Sequence, residues 1–330
     1  MERARRLLCQ LQDHIREILI AARNRGIGKF AEVAGVTSAD TIYHVDRISE
    51  RAVLGWFKSH WPSHWPVELV MEGTADGEAV TFPSGVPVAE TRFKCILDPI
   101  DGTRNLMYDK RSAWVLTGLA LQRGPGTCLA DIRVAAMTEL PTGKHGRADQ
   151  LSAIRGGGAK GVRAESIDLR TGRRVRFRPR PSRAVDCRHG FASLVRFFPE
   201  GKALTAQIEE ELWRELYGTK LSGLVFEDQY ISTGGQLFEL IIGHDRMVGD
   251  IRPPVFSRLR LAATDTCHPY DICTSLILTE LGGIVESPDG GPLRAPLDTT
   301  SPIAWIGFAN PRLARSIRPV LRRLLRRHLG

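Results

Sequence analysis

The chain has 330 residues, 42% of them hydrophobic, and a formal net charge of +9; this apolar content suffices for one large core or two ordinary ones and excludes a disordered or fibrous chain. No apolar run approaches the roughly 20 residues of a membrane span, and the first apolar stretch, Ile18 to Ala22, is too short for a signal-peptide core, so a cytoplasmic protein is expected. Six scattered cysteines without a C-x-x-C pair fit reduced thiols rather than a disulfide framework.

Along residues 2–24, Leu7, Leu8, Leu11, Ile15, Ile18, Leu19 and Ala22 fall on one stripe, with arginines, Asp13 and Glu17 opposite, which predicts an amphipathic helix. A loop over Gly26 to Lys29 leads to a second predicted helix from about Thr41 to His60, burying Ile42, Val45, Ile48, Ala52, Val53 and Trp56 and carrying Asp46. On local grounds Asp46 is as well read as a surface aspartate paired to an arginine. His60 and His64 stand four apart, but Pro62 between them rules out the regular helix a zinc pair would need. Val67 to Met71 reads as a strand ending in Glu72, residues 74–90 as a hairpin or mobile loop rich in Gly and Pro, and Arg92 to Leu97 as a strand. That strand delivers Cys95-Ile-Leu-Asp98-Pro99-Ile100-Asp101-Gly102-Thr103-Arg-Asn105. Asp98 and Asp101, with the Ile100 carbonyl between them, are hard oxygen donors of the kind Mg²⁺ prefers. Gly102 admits an oxyanion without a Cβ in the way, and the Gly102 and Thr103 amides are phosphate donors if a helix starts there. The bland alternative is a solvated turn, since Asp-Pro and Asp-Gly are common turn dipeptides.

Ala113 to Leu121, Leu129 to Met137 and Gln150 to Ile154 then predict a meander of antiparallel strands. The Gly156-Gly157-Gly158 turn lacks the spacing and the lysine of a P-loop. Ser166 to Arg183 reads as an exposed, arginine-rich hairpin about Thr171-Gly172 that is a candidate anion-binding face. Near residue 183 β and α patterns begin to alternate, which divides the chain into an N-terminal α+β part, 1–182, and a C-terminal α/β part, 183–330. The second part holds Ser232-Thr233-Gly234-Gly235-Gln236 before an apolar run, Arg252 after Asp250, and His268-Pro269-Tyr270-Asp271 leading into Leu281-Gly282-Gly283. Cys267, His268 and Cys273 cluster without an evident fourth zinc ligand. Asp271 alone is a helix N-cap. Residues 311–330 contribute seven arginines and no acid, leaving +2 of the +9 for the rest. Leu313, Ile317, Val320, Leu321, Leu324 and Leu325 recur there at helical spacing, so a docked terminal helix with arginines in solvent is expected; an anionic surface, a membrane or nucleic acid is the alternative.

Asp98-Pro99-Ile100-Asp101-Gly102-Thr103, followed by Asn105, resembles the signature of the inositol monophosphatase family, whose superfamily includes fructose-1,6-bisphosphatases and 3′-phosphoadenosine nucleotide phosphatases. Four signals occur in that family's order: Asp46, Glu72, Asp98 to Thr103, and Asp271 to Gly283. The 148–161 segment resembles the family's strand and glycine turn, and 304–311 its last strand and helix. There are departures. Gly73 stands where a second glutamate is frequent, Gln236 where a small residue is usual, Tyr270 for a tryptophan, and Arg252 near the place of a sugar-binding glutamate.

The resemblance implies an αβαβα sandwich with an antiparallel-rich N-terminal part and a smaller α/β C-terminal part. It implies a Mg²⁺-dependent phosphate monoester hydrolase acting on a small phosphorylated metabolite. Glu72, Asp98, Ile100, Asp101 and Asp271 would hold metal, and Glu72 and Thr103, backed by Asp46, would orient the attacking water. Gly102 and Thr103 would bind phosphate, and Asp101, Gly234, Gln236 and Arg252 would touch substrate. Sugar bisphosphate and 3′(2′),5′-bisphosphate nucleotide remain alternative substrates to an inositol phosphate. A non-catalytic, basic-tailed accessory protein that binds RNA or protein is the alternative of another class. Relatives are often dimers, so a homodimer is an assembly the resemblance allows.

Overall fold

The structure, a computed structural model, describes residues 1–25, 33–36, 41–73, 79–220, 222–263 and 266–330. The loop expected at 26–29 and residues 74–78 of the next one lie outside the described residues. Helix α1 (Glu2–Arg25) is followed by a small antiparallel pair, β1 (Val33–Val36) and β2 (Thr41–Tyr43), and by α2 (His44–His60). The second helix therefore begins three residues later than expected, because the Asp46 carboxylate accepts the Tyr43 N–H at 2.8 Å and closes the first turn there.

An eight-stranded sheet follows, built from β3 (Val67–Met71), β4 (Val80–Phe82), β5 (Phe93–Asp101), β6 (Ala113–Leu121), β7 (Ile132–Leu140), β8 (Arg147–Ile154), β9 (Arg163–Asp168) and β10 (Arg174–Phe177), with α3 (Thr103–Met107) after β5 and α4 (Gly158–Gly161) after β8. Its order is β10-β9-β8-β7-β6-β5-β3-β4, antiparallel except for the β3–β5 pair. The arginine-rich hairpin expected about Thr171-Gly172 is β9–β10, with Ser166 opposite Val175. β7 starts at Ile132 rather than at Leu129, whose first residues form a single 3-10 turn.

The C-terminal half adds β11 (Gly190–Leu194), α5 (Lys202–Tyr217), β12 (Val225–Phe226), α6 (Thr233–Ile242), β13 (Asp245–Asp250), α7 (Arg252–Leu259), α8 (Pro269–Ile272), α9 (Ser275–Glu280), β14 (Ile284–Glu286), β15 (Trp305–Phe308) and α10 (Pro311–Leu329). The five strands order as β12-β11-β13-β15-β14. Contacts stack the elements in five layers: α1 and α2, the large sheet, then α6, α8 and α9, the small sheet, and finally α5, α7 and α10. This is the αβαβα arrangement. No helix among the described residues is long and apolar enough to cross a membrane.

Strand alternation divides the core in two. Phe93, Cys95 and Leu97 of β5, with Val115 and Leu119 of β6, face α1 and α2, whereas Ile96, Trp114 and Leu116 face the middle helices. The first interface is not wholly apolar. Gln12 of α1 is fully buried, donating to the Thr117 hydroxyl (2.9 Å) and the Ala136 carbonyl (2.7 Å) and accepting from the Thr138 hydroxyl (2.8 Å). Arg5 and Arg16, expected on the solvent face, are buried beside it; Arg5 reaches Ser152, and Arg16 pairs with Asp13 at 2.8 Å. α10 docks through Leu313, Ala314, Ile317, Leu321, Leu324 and Leu325, and three of its arginines are not simply in solvent: Arg318 grips Glu286 with two bonds, and Arg323 and Arg327 pair with Glu215 and Glu211.

Replacing Gln12 with alanine removes three buried hydrogen bonds at once, and unfolding in urea should show a loss of about 3 kcal/mol; a loss under about 1 kcal/mol would contradict a structural role for this contact.

Candidate functional site

The two carboxylates of the Asp98-Pro-Ile-Asp101 stretch are three residues apart, an odd spacing that would put them on opposite faces of a regular strand. They share a face because β5 is bulged. Asp98 lies opposite Leu116 and Asp101 opposite Trp114, so Pro99 and Ile100 together face the single residue Val115. Leu116 and Trp114 both point to the middle helices, and the bulge turns Asp98 and Asp101 the same way, while the Ile100 side chain goes into the core under α1 and α2. Asp98 fastens the bulge itself, its Oδ1 accepting the Ile100 N–H at 2.9 Å.

Gly102 follows with φ +92°, and a Cβ there would stand 3.0 Å from the Ile231 carbonyl oxygen, so only glycine fits. α3 then starts at Thr103, whose hydroxyl donates to the Ile100 carbonyl at 2.9 Å. Asn105 reaches across to the Ile231 carbonyl (2.8 Å) and ties this turn to the start of α6. That helix start receives Asp101: Ser232 Oγ (2.7 Å), Thr233 N (3.2 Å) and Gly234 N (2.5 Å) all donate to its carboxylate. The approach depends on small residues. A Cβ on Gly234 would meet Leu116 at 2.6 Å and Asp101 at 2.9 Å, and one on Gly235 would meet the Tyr230 ring at 2.3 Å. Asp271 comes from the third helical position of α8, where its Oδ2 accepts the His268 N–H at 2.6 Å.

Asp98, Asp101 and Asp271 thereby offer oxygen atoms that all lie within 4.8 Å of one another. Burial drives all three carboxyls upward in pKa. Asp98 rises well above the carboxylate range through desolvation and then the charges of Glu72, Asp101 and Asp271. Asp101 is pushed up to about 6 by desolvation, against the three donors of α6. Asp271 rises through desolvation and the Asp101 charge, opposed by the His268 N–H, by Arg252 and by a hydrogen bond with Asp98. Three acids whose oxygens crowd within 4.8 Å, two of them buried and Asp271 half-buried, make a pocket short of positive charge. An all-oxygen donor set without His or Cys fits a hard divalent cation better than zinc.

No family model and no curated protein sequence matches the chain. Solved structures match it over nearly its whole length. The extragenic suppressor protein SuhB of Bartonella henselae superposes with a TM-score of 0.62 at 18% identity, covering 97% of each chain. A fructose-1,6-bisphosphatase of Leishmania major in holo form gives 0.65 at 13% identity, covering 96% of this chain and 92% of that one. The Thermotoga maritima IMPase gives 0.61 at 14% identity with full coverage of both chains. The fold is the inositol monophosphatase-like one.

In this inositol monophosphatase-like fold the remaining candidates are spread around the acidic set. Glu72 is half-buried just past β3, its N–H bonded to the Leu97 carbonyl at 3.3 Å, and it acts on Asp98 through its charge without joining the 4.8 Å set. Asp46 also stands outside that set, one oxygen held by the start of α2. Gln236 turns inward, its Nε2 donating to the Tyr230 carbonyl at 2.6 Å. Arg252 is only 7% exposed; it binds Asp250 through Nε and Nη2 and stacks over Phe197, 4.9 Å from the ring centre. His60 and His64 pack on Trp56 and Trp65. Cys267 and Cys273 are buried free thiols. The partners that sequence reading missed are Ser232 and Asp250. Ser232 carried a signal as an N-cap, yet nothing in the sequence linked it to an aspartate 131 residues earlier.

A carboxyl whose folded pKa lies above its unfolded value stabilises the fold fully below the unfolded value and ceases to do so as pH rises through the folded one. For Asp101 that window runs from about 4 to about 6, and Asp98 and Asp271 act in the same direction at higher pH. In EDTA at pH 8, Asp98→Asn is therefore expected to melt about 2 °C or more above the unsubstituted protein, with the gap closing toward pH 4; an equal or lower Tm at pH 8 would contradict the electrostatic strain.

Proposed function

We propose that this chain is a divalent-cation-dependent phosphate monoester hydrolase, with Mg²⁺ as the ion and a small phosphorylated polyol or sugar as the substrate. The observation that carries this reading is the bulge of β5, which sets Asp98 and Asp101 on one face against Asp271, with a glycine and a helix start immediately beside them. Asp98, Asp101 and Asp271, with Glu72 and the Ile100 carbonyl at the edge, are the groups that would hold the cation. A divalent cation held there neutralises a phosphate dianion and lowers the pKa of a bound water.

The chain's own residues account for the rest. The Gly102 and Thr103 N–H groups, beside the left-handed turn, donate to phosphate oxygens. The Thr103 hydroxyl gives its proton to the Ile100 carbonyl, so its oxygen is left to accept one from the attacking water and fix that water in line with the phosphorus. Glu72, whose charge already acts on Asp98, takes up the other water proton as the P–O ester bond breaks and passes it on to the departing alcohol oxygen, and Asp46 supports it from the start of α2. Gly234 lets α6 approach closely enough to lock Asp101. An arginine free to face the substrate would favour a second anionic group, as in a sugar bisphosphate or a 3′(2′),5′-bisphosphate nucleotide, but Arg252 is 7% exposed and held by Asp250. Its side-chain bonds to Asp250 make it part of the wall, and a monophosphate remains the first choice.

Phosphate release should be measured on inositol 1-phosphate, fructose 1,6-bisphosphate, 3′-phosphoadenosine 5′-phosphate and glycerol phosphates, with Mg²⁺ and with EDTA. One ester should turn over only with the cation, and Asp98→Asn or Asp271→Asn should lower that rate about 10³-fold with the fold intact. Asp46→Asn should lower it less. More than about a tenth of the activity left in Asp98→Asn or Asp271→Asn would overturn the assignment.

A further inference from the structure

The net positive charge of the chain comes from two segments. Residues 163–188 hold nine arginines, no lysine and three acids, and residues 311–330 hold seven arginines and no acid, so the segments carry +6 and +7 against a whole-chain +9 and leave −4 elsewhere. The fold brings these segments together. Asn310, which caps α10, donates through Nδ2 to the carbonyls of Ser182 (2.8 Å) and Ala184 (2.9 Å), and so seats the first turn of α10 against the connector between the two sheets. Several arginines of the two segments are neutralised, Arg174 by Asp13, Arg176 by Glu165, Arg188 by Asp186 and Arg318 by Glu286. Arg178, Arg180, Arg183, Arg312 and Arg315 are exposed and form no ion pair among the described residues.

An exposed aromatic pair borders this ridge. Arg246 holds the Asp186 and Arg188 carbonyls, and His189 N–H bonds the Leu224 carbonyl at 2.7 Å, which lays β11 beside β12. Their Phe191 and Phe226 rings, 43% and 52% exposed, meet with centroids 6.1 Å apart.

We propose that the 178–188 connector, the first turn of α10 and the Phe191–Phe226 pair form a docking surface for single-stranded nucleic acid, an activity separate from the phosphatase site. Guanidinium groups suit phosphate through paired N–H···O bonds, so the exposed arginines of this ridge can each grip a backbone phosphate. Exposed rings beside a basic track are the stacking platforms that unpaired bases use. A second copy of this chain is disfavoured as the occupant, because it would set arginine against arginine.

The test is fluorescence anisotropy with a labelled single-stranded oligouridine of about 20 nucleotides, on the full chain, between about 0.05 and 0.2 M salt. The triple variant Arg178→Ala, Arg180→Ala, Arg183→Ala should bind about tenfold or more weakly, with the slope of log K against log salt smaller by about 2. Phe191→Ala with Phe226→Ala should weaken binding about tenfold at an unchanged slope. Unaltered melting temperatures in circular dichroism would assign the losses to the surface. Binding that both variants retain, no binding by the unsubstituted chain at micromolar concentration, or equal binding of poly-glutamate or of anionic lipid vesicles would overturn the proposal.

Discussion

Setting two residues of β5 against one of β6 at Pro99–Ile100 decides where every later part of the acidic set must go. Without the bulge Asp101 would enter the apolar cluster now filled by Ile100. With it, both carboxylates face the middle helical layer, and the neighbouring elements are shaped to that placement. Gly102 takes the left-handed backbone that ends the strand, Gly234 clears the way for α6, and Gly118 of β6 leaves room for Cys273, since a Cβ there would fall 3.1 Å from the Cys273 Cβ. α8 thus lies close on the sheet and brings Asp271 within reach of Asp98.

The same site joins the two sheets energetically. Asp101 is a large-sheet residue that serves as the anion at the start of α6, a helix packed between both sheets. Its three donors offset part of the desolvation but do not cancel it, and Asp98 and Asp271 have fewer donors still. The fold therefore holds a local excess of negative charge that opposes folding above mildly acidic pH, an arrangement expected of a binding site rather than of a structural ion pair. Arg252, a buried cation paired with Asp250, holds the Asp271 pKa down through its charge without offsetting the desolvation.

Much of this was legible in the chain because it is local. Proline, glycine and paired aspartates mark the 98–103 turn, periodicity marks α1, α10 and the strands of the meander, and the resemblance carried by those motifs led to the layered architecture. What stayed hidden depends on partners distant in sequence. Gln12 reads as a polar residue on a helix, and its burial is set by Thr117, Ala136 and Thr138. The start of α2 was placed at Thr41 because the apolar pattern extends through Ile42, whereas the Asp46 cap fixes it at His44. Arginines of α10 assigned to solvent pair with Glu211, Glu215 and Glu286 from other elements. The strand bulge was hidden for a different reason, since an odd carboxylate spacing in sequence argues against a shared face until the pairing with β6 is known.

The central claim, that Asp98, Asp101 and Asp271 jointly hold a divalent cation, is tested most directly by crystals grown with Mn²⁺ and measured for anomalous scattering. The expected result is an anomalous peak in contact with all three carboxylates, lost in Asp98→Asn. A peak placed elsewhere, or bound Mn²⁺ unaffected by that substitution, would contradict it.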